Sequence, residues 1–297
     1  MSHRLDKAFE QALAYVDKHM HVPVNISVLA EISGIAESHF RHLFHALYRL
    51  SIEQYVDLLK SLQAAHQLGF GEQIPLATIA TSLGYIDETH FVQSFTDSIG
   101  QSPQSFQHAP DWGNFFSKQQ PLKSFQAPSE NDFHYSVTEI ALDPLVLAIM
   151  NHTGHFSDIP VTVQRFIQWR QCNALGHNVG HTYYLLYSHP QDNPYHMGIG
   201  VSLDSDNFVR LASSGLTDPD IQTKVIPAGR YAMMLVSSDT AGNNINSLLH
   251  DGVSYLYRQW LNTHNVELRD SPLMFERLDV AAADGQVQHV KIYLPIQ

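Results

Sequence analysis

Apolar residues recur three and four positions apart through the first hundred residues, and mostly two apart from about residue 133 onward. Leu5, Ala8, Phe9, Ala12, Leu13 and Val16 mark one helix face, and Ile52, Tyr55, Val56, Leu59 and Leu62 mark another. Shorter helices are predicted over 27–33, 37–47, 76–83, 88–98 and 103–107, with Gly34, Gly84 and Gly100 where helices should end. Beyond 133 the alternation predicts strands over 134–142, 145–152, 183–188 and 196–203, around a helix near 158–173. A second set follows, with strands over 221–227, 229–236, 272–279 and 289–295 around a helix near 244–263. Each set reads strand, strand, helix, strand, strand. That order predicts a duplicated α+β module whose two helices cover a mixed or antiparallel sheet.

The chain is therefore read as multidomain. An all-α domain occupies 1–107, a Pro-, Ser-, Gln- and Asn-rich linker 108–132, and the α+β domain 133–297. Trp112, Phe115 and Phe116 within the linker are expected to pack onto one of the domains. A repeat organises the helical part. LAEISGIAESHFRHLF (29–44) aligns with IATSLGYIDETHFVQSF (79–95), pairing Gly34 with Gly84, His39-Phe40 with His90-Phe91, Phe44 with Phe95 and, further on, Ser51 with Ser102. Two copies joined by the helix beginning at Ile52 predict two helix-turn-helix units on one spine.

Charge alters what those units can do. The chain carries a net −12. Residues 1–110 hold six Lys/Arg against eleven Asp/Glu, and residues 125–297 hold nine against seventeen. Both domains are acidic, which excludes indiscriminate attachment to nucleic acid or anionic membrane. The longest uncharged apolar run, 144–150, is too short to span a bilayer, and the first twenty residues lack a signal-peptide core. A single cysteine, Cys172, rules out an intramolecular disulfide and a cysteine-based zinc cluster. The expectation is a cytoplasmic protein with no membrane partner and no cofactor.

The paired Leu-Ala and Ile-Ala starts, the turn glycines, Phe44, Phe95 and the closing GQSPQSF resemble the DNA-binding domain of AraC-type transcription regulators over roughly 5–107. The resemblance implies two recognition helices meeting successive major grooves of double-stranded DNA. On the matching positions, the expected DNA contacts are Ser38, Arg41, His42 and His45 in the first unit and Thr89, His90 and Gln93 in the second. The sequence departs from the family by having few basic residues there. Asp87, Glu88 and Asp97 surround the second helix, Gln107 stands where an Arg is common, and Arg41 and Lys60 are what remains. Phosphate and guanine contacts favour Arg and Lys, so the first unit is expected to carry specificity. A module that keeps the fold without DNA binding stays open as the alternative. His39, His42 and His45 share a helix face, but no carboxylate can be placed to orient them around a metal. His39, matched by His90 in the repeat, is read as serving packing and polar contacts, with a pH-dependent DNA contact through His42 and His45 as a further option.

HTGHF (152–156), YSHP (187–190), VIPAGRYAMM (225–234), YRQWL (257–261), SPLMFERL (271–278) and KIYLPI (291–296) resemble the GyrI-like effector-binding domain over roughly 133–297. Joined to the AraC-type region, this is similar to the Rob-like architecture of bacterial regulators. The resemblance implies a small-molecule effector, of cationic and hydrophobic character, held by a carboxylate at Glu276. Phe156, Tyr184, Tyr187 and Tyr231 are the candidate walls, whereas strand alternation puts Phe275 on the face opposite Glu276. Departures are His189 where an acidic residue is frequent, and the loop VSSDTAGNN. An ion pair of Glu276 with Arg277 or Arg230 is the competing structural reading. Some relatives are hydrolases using a similar Glu, so Glu276 with Tyr184 or Tyr231 is kept as an enzymatic alternative. The preferred reading is a non-enzymatic regulator of DNA, with RNA polymerase as a further partner.

Overall fold

A computed structural model describes residues 3–70, 74–118, 135–176, 179–192, 194–214, 218–238, 245–264, 266–278 and 289–297. Its contacts divide the chain into two compact units. One holds residues 1–37 and 47–129, the other residues 38–46 and 130–297. The helices of the N-terminal region are α1 (His3–Lys18), α2 (Ile26–Ser33), α3 (Glu37–Tyr48), α4 (Ile52–Phe70), α5 (Leu76–Ser82), α6 (Glu88–Ile99), α7 (Pro103–His108) and α8 (Trp112–Lys118).

Local chemistry sets the helix ends of the first unit. The Asn25 side chain caps α2 and Asp87 caps α6, the latter accepting the His90 N–H at 2.7 Å. Ser51 and Ser102, matched in the repeat, each accept a backbone N–H three residues on, from Gln54 and Ser105. Gln54 returns a side-chain oxygen to the Ser51 N–H, completing a capping box. Gly34 and Gly100 close α2 and α6 in the left-handed conformation. Gly84 is more constrained still. With φ at +70°, a Cβ added there would lie 2.0 Å from the His21 carbonyl oxygen.

The second helix-turn-helix unit is built around an aromatic core. Ala64, Ala65 and Leu68 of α4, Ile79 and Ala80 of α5, Phe91, Phe95 and Ile99 of α6, and Phe106 of α7 are buried together. Phe115 of α8 joins them and Trp112 packs against the cluster, so 112–118, placed in the linker from sequence, is a helix of the first unit. Its apolar spacing outweighs the polar composition around it. The rest of the predicted linker, 119–132, lies outside the described residues.

In the second unit an eight-stranded antiparallel sheet runs in the order β1-β6-β8-β7-β3-β4-β2-β5. The strands are β1 (Val137–Leu142), β2 (Leu145–Gly154), β3 (Thr182–Leu186), β4 (Tyr195–Ser202), β5 (Ile221–Ile226), β6 (Gly229–Ser237), β7 (Leu273–Leu278) and β8 (His289–Ile296). The order is symmetric about the β7–β3 junction, as a duplicated module requires. Helix α9 (Ile159–Cys172) packs on β2, and α11 (Ile245–Tyr255) on β6 and β8. A π-helical turn (Leu256–Trp260) and a last short turn, α12 (Leu261–His264), prolong α11. Within this unit, α10 (Ser205–Ser214) was not read from the sequence; it is started by Asp204, whose carboxylate accepts the Asn207 N–H at 2.8 Å. Among the described residues no helix is long and apolar enough to cross a membrane.

Candidate functional site

Strand register assembles a carboxylate site on the sheet face away from the helices. Tyr183 of β3 pairs with Glu276 of β7, and Glu276 pairs with Lys291 of β8, which puts three polar side chains side by side. Tyr293, two residues beyond Lys291, donates its hydroxyl to Glu276. His181 Nδ1 lies 3.0 Å from one carboxylate oxygen and Lys291 Nζ 3.5 Å from the other. Glu276 is only 5% exposed. Burial, then the Glu276 hydrogen bond and charge, push the Tyr293 hydroxyl far up; burial and the same charge do so for Tyr183. Both tyrosines stay neutral donors. Around them Leu147, Ile149, Leu185, Ile226, Tyr231 and Met274 form one apolar cluster with Tyr183 and Tyr293.

The predicted walls are divided by this geometry. Tyr231 belongs to the site, packed edge-on against the Tyr293 ring, with the Arg269 guanidinium over its own ring at 4.7 Å. Tyr187 packs against the same cluster and its hydroxyl accepts Lys224 Nζ at 2.7 Å. Tyr184 corrects the sequence reading. The two-residue pleat turns it to the opposite face, where it lines a cavity of about 330 Å³ under α9 with Phe166, Ile199 and Arg277. Phe156 also stays apart, half-exposed against Tyr195. Neither competing ion pair forms: Arg277 lies across the sheet from Glu276, and Arg230 pairs with Glu139. Tyr183, Tyr293, Lys291 and His181 were missed. The alternation in KIYLPI marks Lys291 and Tyr293 as sharing a face, yet no local pattern pairs that strand with β7.

The candidate DNA contacts also divide. On α6, Thr89, His90 and Gln93 are exposed. Gln93 is tied to Asp97 by 2.9 Å hydrogen bonds, and His90 lies edge-on to Tyr85. This face presents neutral donors among carboxylates. Lys60 does not add a phosphate contact, because it is buried over the Tyr85 ring at 5.1 Å.

The first set is placed quite differently. Residues 38–46 of α3 belong to the second unit, and there His42 and His45, expected as DNA contacts, are buried. The His45 ring stacks on His189 at 3.5 Å and meets His250 edge-on at 5.6 Å. His42 stacks parallel to Tyr257, with ring centres 6.2 Å apart. Arg41 pairs with Asp192 at 3.5 Å, and Ser38 is partly buried. His39 Nε2 donates to the Arg269 carbonyl at 3.0 Å, so its Nδ1 accepts the Tyr257 hydroxyl at 2.7 Å. Burial lowers the His39 pKa to about 4, His42 to about 3 and His189 to about 2, with neighbouring histidines adding to the last two. These rings are neutral in this arrangement. Among the described residues, no group of three or more His, Cys, Asp or Glu side chains has metal-binding geometry.

Comparison with known proteins divides the chain similarly. Residues 136–297 match the GyrI-like small molecule binding domain, and residues 29–109 match a helix-turn-helix domain. The regulatory protein SoxS of Escherichia coli strain K12 is 29% identical over 108 residues, 36% of this chain and 98% of SoxS. The probable transcriptional regulator LumQ of Photobacterium leiognathi is 31% identical over 93 residues, 31% of this chain and 37% of LumQ. The crystal structure of the EcmrR C-terminal domain covers 56% of this chain and 99% of its own, at 13% identity and a TM-score of 0.39.

Proposed function

The chain belongs to the GyrI-like family and carries an AraC-type helix-turn-helix region ahead of the family domain, and on that premise we propose that it is a bacterial transcription regulator whose C-terminal domain senses a small molecule. The observation that carries the sensing half is the buried Glu276 carboxylate set in an aromatic and methionine-lined face. Such a face takes a flat hydrophobic ligand, and the carboxylate selects one with a cationic or hydrogen-bond-donating end. Lys291 and His181 hold the carboxylate in the ligand's absence, and a cationic ligand replaces their contacts. The role is binding: Glu276 is committed to Tyr293, His181 and Lys291, and no nucleophile paired with a base stands beside it among the described residues.

DNA recognition is assigned mainly to α3, through Ser38, Arg41, His42 and His45. The α6 face, with Asp87, Glu88 and Asp97 near Thr89 and Gln93, suits positioning more than base reading. The protein acts in the cytoplasm, where duplex DNA and RNA polymerase are its partners. The test of the sensing half is thermal stabilisation by a panel of aromatic cations, each with a neutral isostere. Stabilisation by cations that Glu276→Gln abolishes supports the reading. Equal stabilisation by both members of each pair, unchanged in Glu276→Gln, rejects it.

A further inference from the structure

Three of the residues assigned to DNA reading on α3, Arg41, His42 and His45, are already engaged by side chains of residues 189–257, and His39 on the same helix is held there too. His189 and Asp192 follow β3, His250 sits on α11, Tyr257 on the π-helical turn and Arg269 before β7. Together they meet His39, Arg41, His42 and His45 through ring stacking, an ion pair and two hydrogen bonds. His42 is 3% exposed and its partners are protein rings, so the same face cannot lie in a major groove. We propose that His189, Asp192, His250 and Tyr257 form a docking surface for residues 38–46, and that double-stranded DNA competes with this surface for α3.

Three features suit the contact to release. It is polar: histidine rings stack and meet edge-on within it, where a permanent core would use aliphatic side chains. Among the described residues the buried Nε2 of His42 has no hydrogen-bond partner, which costs about 1–3 kcal/mol while docked and nothing once water reaches it. The Tyr257 side of the contact rests on a π-helical turn, a strained helical form concentrated at functional positions. Charge works in the same sense. Arg41 is held by Asp192, so the one guanidinium on the reading face is neutralised until the helix leaves. The groups facing the histidines are Arg41 on α3 itself, His189 and Asp192 after β3, His250 on α11, Tyr257 on the π turn, and Arg269 with Asp270 before β7.

The inference rests on the proposal that α3 reads DNA, and its test separates the two. Two substitutions loosen the dock from the side that never touches DNA. Asp192→Asn keeps an acceptor for the His189 N–H, now bonded at 2.7 Å, and removes only the charge that holds Arg41. His250→Ala removes an edge-on ring from an exposed helix position. Full-length wild type and both variants are followed by amide hydrogen exchange across 38–46 and by anisotropy with a random duplex pool of about 30 base pairs, long enough for two successive grooves. The expected result is faster exchange in α3 and roughly three- to tenfold tighter duplex binding in each variant, because the binding-competent fraction rises. Unchanged exchange overturns the docking surface. Faster exchange with unchanged affinity overturns the competition. Faster exchange with no duplex binding by any of the three proteins overturns the competition through failure of the DNA-reading proposal beneath it.

Discussion

Acidification should release α3. When docked, His39, His42 and His189 have pKa values lowered from 6.5 to about 4, 3 and 2, first by burial. Undocked and solvated, each returns towards about 6.5. The undocked state therefore binds more protons than the docked one at any pH between these limits. Docking is fully favoured above about pH 6.5 and weakens as pH falls below it, continuing down to the docked values. From about pH 7.5 to about pH 5.5 an undocked histidine gains a factor of about ten, while a docked one gains almost nothing. Three such rings give about a thousandfold, or ~4 kcal/mol, against docking. Repulsion between protonated His39 and His42, one helical turn apart, trims this to roughly a hundredfold. The assay is duplex affinity against pH at constant ionic strength, in wild type and in a His189→Ala/His250→Ala double variant. Wild type should tighten by roughly a hundredfold between these pH values, an average slope of about one proton, and the double variant should bind tighter at neutral pH with a shallower slope. Protons acting only at a histidine–phosphate contact would leave the slope identical in the variant. A flat or reversed wild-type profile would refute the linkage argument altogether.

Gly84→Ala places a Cβ 2.0 Å from the His21 carbonyl oxygen in a left-handed conformation, and should cost ~3 kcal/mol or more in denaturant unfolding of the full chain. Asp87→Ala removes the α6 cap and should cost about 1 kcal/mol, whereas Asp87→Asn should cost a few tenths. Tyr183→Phe and Tyr293→Phe should each weaken cation binding at Glu276 by roughly tenfold in calorimetry, since a buried carboxylate loses a donor, while Tyr184→Phe should leave it unchanged.

Much of the fold was legible because it is written locally. The repeat at 29–44 and 79–95, the capping serines at 51 and 102, and the alternating strands after 133 each announce an element within a dozen residues. The opposed faces of Glu276 and Phe275 follow from the same alternation, whereas the role of Glu276 came from the family resemblance. What failed to appear is non-local. Tyr183 and Tyr184 are equally aromatic in sequence, and only the β3–β7 register, Tyr183 against Glu276, decides between them. The spacing of His39, His42 and His45 revealed one helix face, but nothing nearby in sequence says that His189 and Tyr257, some 140 to 220 residues away, cover it. Lys60 counted among the remaining basic residues for the same reason. Its aromatic cover comes from Tyr85 in the next helix-turn-helix unit.

Regulation of transcription by this chain would run through α3 reading duplex DNA. The most direct measurement is binding of fragmented genomic DNA from the source bacterium by the full chain at about 50 mM salt, with recovered fragments sequenced, in wild type, Arg41→Ala and the His189→Ala/His250→Ala variant. Discrete enriched sites are expected, recovered more strongly by the double variant and lost in Arg41→Ala. Absence of enrichment in both wild type and the double variant, with the fold intact, would contradict DNA reading through α3.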